Sequence, residues 1–237
     1  MEETSSQLKP LSWSLVHEDL HEKGYATVPG FLSPSECEEL IQLYQKPNGY
    51  RKTVVMERYR FGLGEYKYFD YPLPEKIQTL RTELYPHLVP VANLWMKALK
   101  IDTVFPETHQ KLLEQCKEKG QLKPTPLILK YGEGGFNTLH QDLYGDIYFP
   151  MQALLVLSEP EVDFSGGEFV MTQQIPRAQS KAIVLKPKQG DLVFFTTNFR
   201  PMKGKKGYYR VNMKHGVSEV THGNRYAMGI IFHDAVS

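Results

Sequence analysis

The chain has 237 residues, 41% of them hydrophobic, and two cysteines, Cys37 and Cys116. That length buries a sizeable core without cross-links, and a net charge of +1 sets up no global field toward nucleic acid or membrane, so any basic site is local. Two cysteines make no disulfide framework, the start "MEETSSQLKP" is polar and acidic, and no apolar run nears the roughly 20 residues that span a membrane; the expectation is a soluble cytoplasmic protein.

The first half reads as mainly helical. "SWSLVHEDLHEKG" runs from an N-cap candidate, Ser12, to a stop at Gly24. "YATVPGFL" reads as a short strand and turn. "SPSECEELIQLYQ" carries a capping box, with Ser33 as N-cap, Pro34 at the first helical position and Glu36 three residues on. "LPEKIQTLRTELYPHLVPVANLWMKAL" is apolar at helical spacing, and Pro86 and Pro90 are expected to break or kink it. "FPETHQKLLEQCKEKG" is a further capped helix that ends at Gly120.

The texture changes near Pro124. Seven short β-type runs follow: "PLILKYG", "QALLVLS", "GEFVMTQQ", "KAIVLKP", "DLVFFTT", "YRVNMKHGV" and "RYAMGIIFH". Turn residues separate them and no helical pattern intervenes, which predicts an antiparallel sandwich or barrel. The fold expected is mainly β with a helical annex. Residues 1–123 form a helical N-terminal support region with short strands, packed on a barrel built from residues 124–237.

Within "TLHQD", His140 and Asp142 are two apart. In extended chain they share a face, so one imidazole and one carboxylate reach the same ion. A third ligand comes from His215, His222 or His233. His222 reads as a solvated turn residue and His233 as a terminal, partly exposed one. Two histidines and one carboxylate leave three positions open and suit non-haem Fe(II); structural zinc wants a closed, sulfur-rich set. Arg225 stands ten residues after His215 and opens the last long strand. A buried arginine there needs an anion, and its fork matches a carboxylate.

The stretch from Leu127 to His233 resembles the 2-oxoglutarate- and Fe(II)-dependent dioxygenases. "LILKYGEGGFNTLHQD", "QALLVLSEPEVDFSGGEFVM", "KPKQGDLVFF" and "MKHGVSEVTHGNRYAMGIIF" follow in that superfamily's order. The ten-residue gap from His215 to Arg225 and the segment "SGGEF" look most like the prolyl-hydroxylase branch. "KYGEGGFNTLHQD", with Tyr131 nine residues before His140, looks more like the alkylation-repair dioxygenases of the AlkB type. The repair pattern departs later, with Ala227 and Ile231 where it carries an asparagine and a second arginine. The chain is also similar to a bacterial family described as oxygenases acting on damaged DNA.

The resemblance implies a double-stranded β-helix, jelly-roll or cupin-like, preceded by helices. It implies Fe(II) held by His140, Asp142 and His215. The cosubstrate 2-oxoglutarate is then held by Arg225 with Tyr131 as a hydroxyl donor, O2 is the oxidant, and ascorbate supports activity in vitro. The implied reaction couples oxidative decarboxylation to hydroxylation or oxidative demethylation. Alkylated DNA or RNA is one substrate class; a protein (prolyl-type) or small-molecule hydroxylation is the alternative. A reading of another class is a non-catalytic metal-binding barrel that acts as a sensor or binding module. Two segments are candidate substrate readers: residues 57–72, where cations alternate with aromatics, and the cationic "RPMKGKKGYYR" (200–210) leading into the His215 strand.

Overall fold

The computed structural model describes residues 11–237; the acidic start read at residues 1–10 lies outside them. Helix α1 (Trp13–Lys23) ends at Gly24, whose φ of 81° lets the chain turn into β1 (Tyr25–Val28). Ser12 stands at the N-cap position, but its hydroxyl makes no capping bond; it lies 3.5 Å from Ser14 Oγ. Helix α2 (Pro34–Gln45) has the full capping box, with Glu36 accepting from Ser33 N–H at 2.8 Å. Next come β2 (Tyr50–Val55), a 3-10 turn (Met56–Tyr59), β3 (Gly62–Leu63) and β4 (Glu65–Phe69). Two helices follow, α3 (Glu75–Ala98) and α4 (His109–Glu118).

Neither proline breaks α3, which runs through Pro86 and Pro90 as one helix of 24 residues. Each proline costs about 3 kcal/mol in a helix interior. The helix buries Leu80, Leu84, Leu88 and Trp95, among others. At roughly 1.5–3 kcal/mol for each large apolar side chain, that packing outweighs the two breakers.

The remaining strands are β5 (Leu127–Tyr131), β6 (Phe136–His140), β7 (Met151–Val156), β8 (Phe164–Gly166), β9 (Phe169–Gln174) and β10 (Ser180–Leu185). They continue with β11 (Leu192–Thr196), β12 (Phe199–Gly204), β13 (Gly207–Val217), β14 (Val220–Gly223) and β15 (Arg225–Ile231). All seven runs read from sequence are strands. The major sheet has the order β1-β11-β7-β15-β5-β4-β2. The minor sheet has the order β10-β9-β13-β6-β3, with β12 added on β13. Strands β1, β2 and β4 lie before residue 124, so the support region supplies three of the seven strands of the major sheet.

Strand alternation separates two cores. Met151, Ala153 and Leu155 of β7, with Phe194 of β11 and Met228 and Ile230 of β15, face the helices and join Leu84, Leu88 and Trp95. Leu154, Val156, Val193 and Ala227 point the other way and meet Phe169, Met171, Val211 and Met213 of the minor sheet. The helices thus back the major sheet, and the space between the two sheets holds the site.

Candidate metal and cosubstrate site

His140 ends β6 and pairs in register with His215 of β13, so the two imidazoles are cross-strand neighbours with ring centroids 4.3 Å apart. Asp142 follows in the loop. Its Oδ1 is 3.5 Å from His140 Nε2 and its Oδ2 is 3.1 Å from His215 Nε2. One ligand atom from each of the three lies within 4.8 Å of the others. His140 Nδ1 donates to the Thr138 carbonyl at 2.8 Å, which fixes the tautomer and leaves the Nε2 lone pair toward the cluster. His215 Nδ1 is buried without a hydrogen-bond partner.

Asp142 is gripped on both oxygens. Tyr144 donates its hydroxyl to Oδ1 at 2.7 Å and Gln152 of β7 donates its amide to Oδ2 at 2.9 Å. Tyr68 in turn donates to the Tyr144 hydroxyl at 3.1 Å. Burial alone would raise the Asp142 carboxyl. The His140 charge, then the hydrogen bond and charge of His215 and the Tyr144 bond, outweigh burial and hold it well below the usual carboxylate range. Burial and the neighbouring His140 lower the His215 imidazole. A carboxylate beside two imidazoles is a donor set that a divalent ion takes, with metal binding coupled to the ligands' protons. The residues present fit Fe(II): two histidines and one carboxylate on one side, with room for further ligands on the other.

Of the other candidate ligands, His222 lies away from this cluster and is exposed, 3.7 Å from Glu133. His233 is fully buried rather than partly exposed: its Nδ1 accepts from Phe149 N–H at 3.1 Å, and its ring lies 6.0 Å from that of Tyr144. It is a core residue behind the site.

The triad opens into a cavity of about 220 Å³ lined by Leu129, Tyr131, Leu154, Phe169, Phe195 and Arg225, among others. Arg225 is 1% exposed. Its Nε has no hydrogen-bond partner, and it forms no ion pair among the described residues; its charged group lies 5.6 Å from the Tyr131 ring. Arg81 shows what a satisfied buried arginine looks like here. It is 0% exposed, 2.7 Å from Asp234, and donates to the carbonyls of Ile231 and Phe232. Arg225 is therefore a buried cation with no anion beside it among the described residues.

Tyr131 sits opposite Arg225 in the β5–β15 register. It is fully buried, receives the Asn137 amide on its hydroxyl at 3.3 Å, and burial pushes that hydroxyl up to about 12, so it remains a donor. The "SGGEF" glycines also have a local reason. A Cβ on Gly167, which has φ 61°, would stand 2.9 Å from Arg225 Cδ, so glycine makes room for the guanidinium arm.

The two segments singled out for substrate divide unevenly. In residues 57–72, Tyr66 and Tyr68 line the cavity with Phe61, and Phe61 stacks on Tyr59 at 5.5 Å and 18°. Both stacked rings are exposed, 52% for Tyr59 and 44% for Phe61. In residues 200–210, Arg200 is not a solvated cation: it is buried and donates to Gln173 at 2.8 Å. The lysines sit at the tip of the β12–β13 hairpin. That tip is eight residues up the strand from His215, about 26 Å in extended chain, so they do not rim the cavity. Tyr144, Gln152 and Asn137 were not read from the sequence. Gln152 had a weak signal, a polar residue inside the apolar run "QALLVLS".

The chain matches the model of a family described as "Oxygenase, catalysing oxidative methylation of damaged DNA" over residues 64–235. Two uncharacterised proteins of Mycobacterium tuberculosis are 43% identical over 167 residues, 70% of this chain and 72% of theirs. Among solved structures, a Pseudomonas putida prolyl-4-hydroxylase superposes with a TM-score of 0.54 at 16% identity, covering 94% of this chain and all of that one. A Trichoplax adhaerens prolyl hydroxylase, solved with a hypoxia inducible factor peptide fragment, gives 0.54 at 17%, covering 94% and 89%. At these identities the likeness to solved structures is one of fold, the double-stranded β-helix expected from sequence.

Proposed function

Because the chain belongs to this oxygenase family, within the 2-oxoglutarate- and Fe(II)-dependent dioxygenases, we propose a division of labour among its cavity residues. His140, Asp142 and His215 hold Fe(II). Arg225 pairs with the C5 carboxylate of 2-oxoglutarate, and Tyr131 donates its hydroxyl to the same group. The bound metal supplies oxidative decarboxylation of 2-oxoglutarate with O2 and the oxidation of a substrate C–H bond. The chain's own residues bind, orient and exclude water. Leu129, Leu154, Phe169 and Phe195 wall the cavity, so the Arg225 charge acts where screening is weak. Tyr144 and Gln152 fix the Asp142 carboxylate in one orientation.

The observation that carries this reading is Arg225, a buried cation with no anion partner among the described residues, in the same cavity as the triad. A non-catalytic metal-binding barrel gives that arginine no purpose.

For the substrate, the family description supports oxidation of an alkylated base in DNA or RNA. Phe61, which lines the cavity, and the exposed Tyr59 stacked on it support the same reading, since exposed aromatic faces receive bases taken out of their stack. Protein hydroxylation is the second reading. Ile231 is buried where the repair pattern carries a second arginine, and the fold is that of prolyl hydroxylases. The test incubates the Fe(II) protein with 2-oxoglutarate and methylated oligonucleotides and follows formaldehyde and succinate. Formaldehyde that depends on the methylated strand is expected. Succinate without formaldehyde from any methylated base sinks the repair reading and leaves hydroxylation.

A further inference from the structure

The near-neutral net charge hides a segregation. Residues 169–218 contain ten Lys and Arg and a single acid, Asp191. The rest of the chain contains eighteen Lys and Arg against twenty-six Asp and Glu. Asp191 is buried and accepts from Gly30 N–H and Lys188 N–H, so it offsets nothing at the surface. The segment builds β9, β10, β12 and β13, which lie together in the minor sheet, and β11 of the major sheet.

Strand alternation then sets the direction of the charge. Val211, Met213 and His215 of β13 are buried toward the cavity, whereas Arg210, Asn212 and Lys214 are exposed on the opposite face. In register beside them lie Thr172 opposite Lys214, Gln174 opposite Asn212, and Lys203 opposite Tyr208. Beyond Asn212, β13 leaves β9 and pairs only with β12, so Lys203, Lys205, Lys206 and Tyr208 stand on a two-stranded ribbon. Among the described residues none of these cations forms an ion pair. Lys186, at the other end of the sheet, is held by Glu168 at 3.3 Å.

We propose that the outward face of β13, continued by its ribbon with β12, is a binding surface for the phosphodiester backbone of nucleic acid. Cations alternate there with neutral amide and hydroxyl groups, a combination that positions a phosphate chain without reading its sequence. Lys214 is the neighbour of the metal ligand His215 on the reverse side of the same sheet. The minor-sheet edge at β3 is two strands away, about 10 Å, and just before β3 in the chain is Phe61, which lines the cavity with the exposed Tyr59 stacked on it. A strand held on this face can pass one nucleotide over that edge.

This surface rests on the nucleic-acid reading of the site, and its test is separable from that reading. A labelled, unmodified single strand of about sixteen nucleotides is titrated against the full chain loaded with Mn(II), by fluorescence anisotropy, across a salt series. Two variants are compared with wild type: Lys203→Ser with Lys205→Ser and Lys206→Ser, and Arg210→Ser with Lys214→Ser. Each lost phosphate contact lowers the slope of log affinity against log salt by about 0.7. The triple variant should lose about 2 in slope and at least tenfold in affinity, and the double variant about 1.4. Unchanged 2-oxoglutarate binding to the Mn(II)-loaded variants verifies that the barrel is intact. Wild-type affinity and slope in both variants overturn the proposal, as does equal binding of an oligoglutamate of the same charge. Normal strand binding with no formaldehyde from methylated strands leaves the surface standing and removes the repair chemistry.

Discussion

Replacing Arg225 by methionine removes a charge and keeps most of the volume. Arg225 is 1% exposed with an unpartnered Nε, so two effects follow with opposite signs. Without cosubstrate the wild-type protein carries an uncompensated buried charge, and Arg225→Met should leave stability unchanged or raise it. With cosubstrate the variant loses a charge-assisted bidentate pair, roughly 2–5 kcal/mol at a buried site, or at least about 30-fold in affinity. At a 2-oxoglutarate concentration 100 times the wild-type Kd, the ligand stabilises wild type by about 2.7 kcal/mol. A 30-fold weaker variant gains about 0.9 kcal/mol under the same conditions. The assay is calorimetric titration of 2-oxoglutarate into Mn(II)-loaded protein, with denaturant melts with and without ligand. Arg81→Met is the control. It strands Asp234, whose carboxylate lies 2.7 Å from Arg81, and should cost about 3–5 kcal/mol with or without ligand. Wild-type 2-oxoglutarate affinity in Arg225→Met, or a loss of stability like that of Arg81→Met, would refute the reasoning.

His140→Ala, Asp142→Ala and His215→Ala should each abolish Fe(II) or Mn(II) binding measured by metal titration, while His222→Ala keeps it; loss in His222→Ala alone would reassign the third ligand. Tyr144→Phe and Gln152→Leu each free one Asp142 oxygen, and metal affinity should fall about 10- to 100-fold; wild-type affinity in both would show that the grip on Asp142 has no bearing on the metal. Burial lowers His109 and His233 each to about 3. The unfolded chain takes up these protons near pH 6.5, so stability is present above that pH and falls as pH drops from 6.5 toward 3. The loss is up to about 1.4 kcal/mol per unit for each histidine. Urea melts at pH 7 and pH 5 measure it. His109→Gln should flatten the slope, and a slope unchanged in that variant contradicts the assignment.

Periodicity carries local information, and where local signals agree with packing the sequence is legible. The α2 capping box, the Gly24 stop and all seven barrel runs are examples. Two kinds of feature were not legible. The first is tertiary override: α3 survives two prolines because its buried face outweighs them, and His233 is drawn into the core by Phe149. The second is convergence. His140 and Asp142 were visible because two residues in extended chain share a face. Tyr144, Gln152 and Tyr68 come from three separate segments, and no spacing rule joins them. Arg200 looked like one more surface cation in a basic run, and strand alternation turns it inward to Gln173. Net charge misled in the same way, because a sum over the chain averages a basic sheet face with an acidic remainder.

The central claim is that this cavity oxidises 2-oxoglutarate at a metal held by His140, Asp142 and His215. Its most direct measurement is succinate released from 2-oxoglutarate by purified protein with Fe(II), ascorbate and air, beside Asp142→Ala protein verified as folded. The account predicts succinate from wild type, none without Fe(II), and none from Asp142→Ala. Succinate formed equally by Asp142→Ala, or none from folded wild-type protein shown to hold Fe(II), would contradict it.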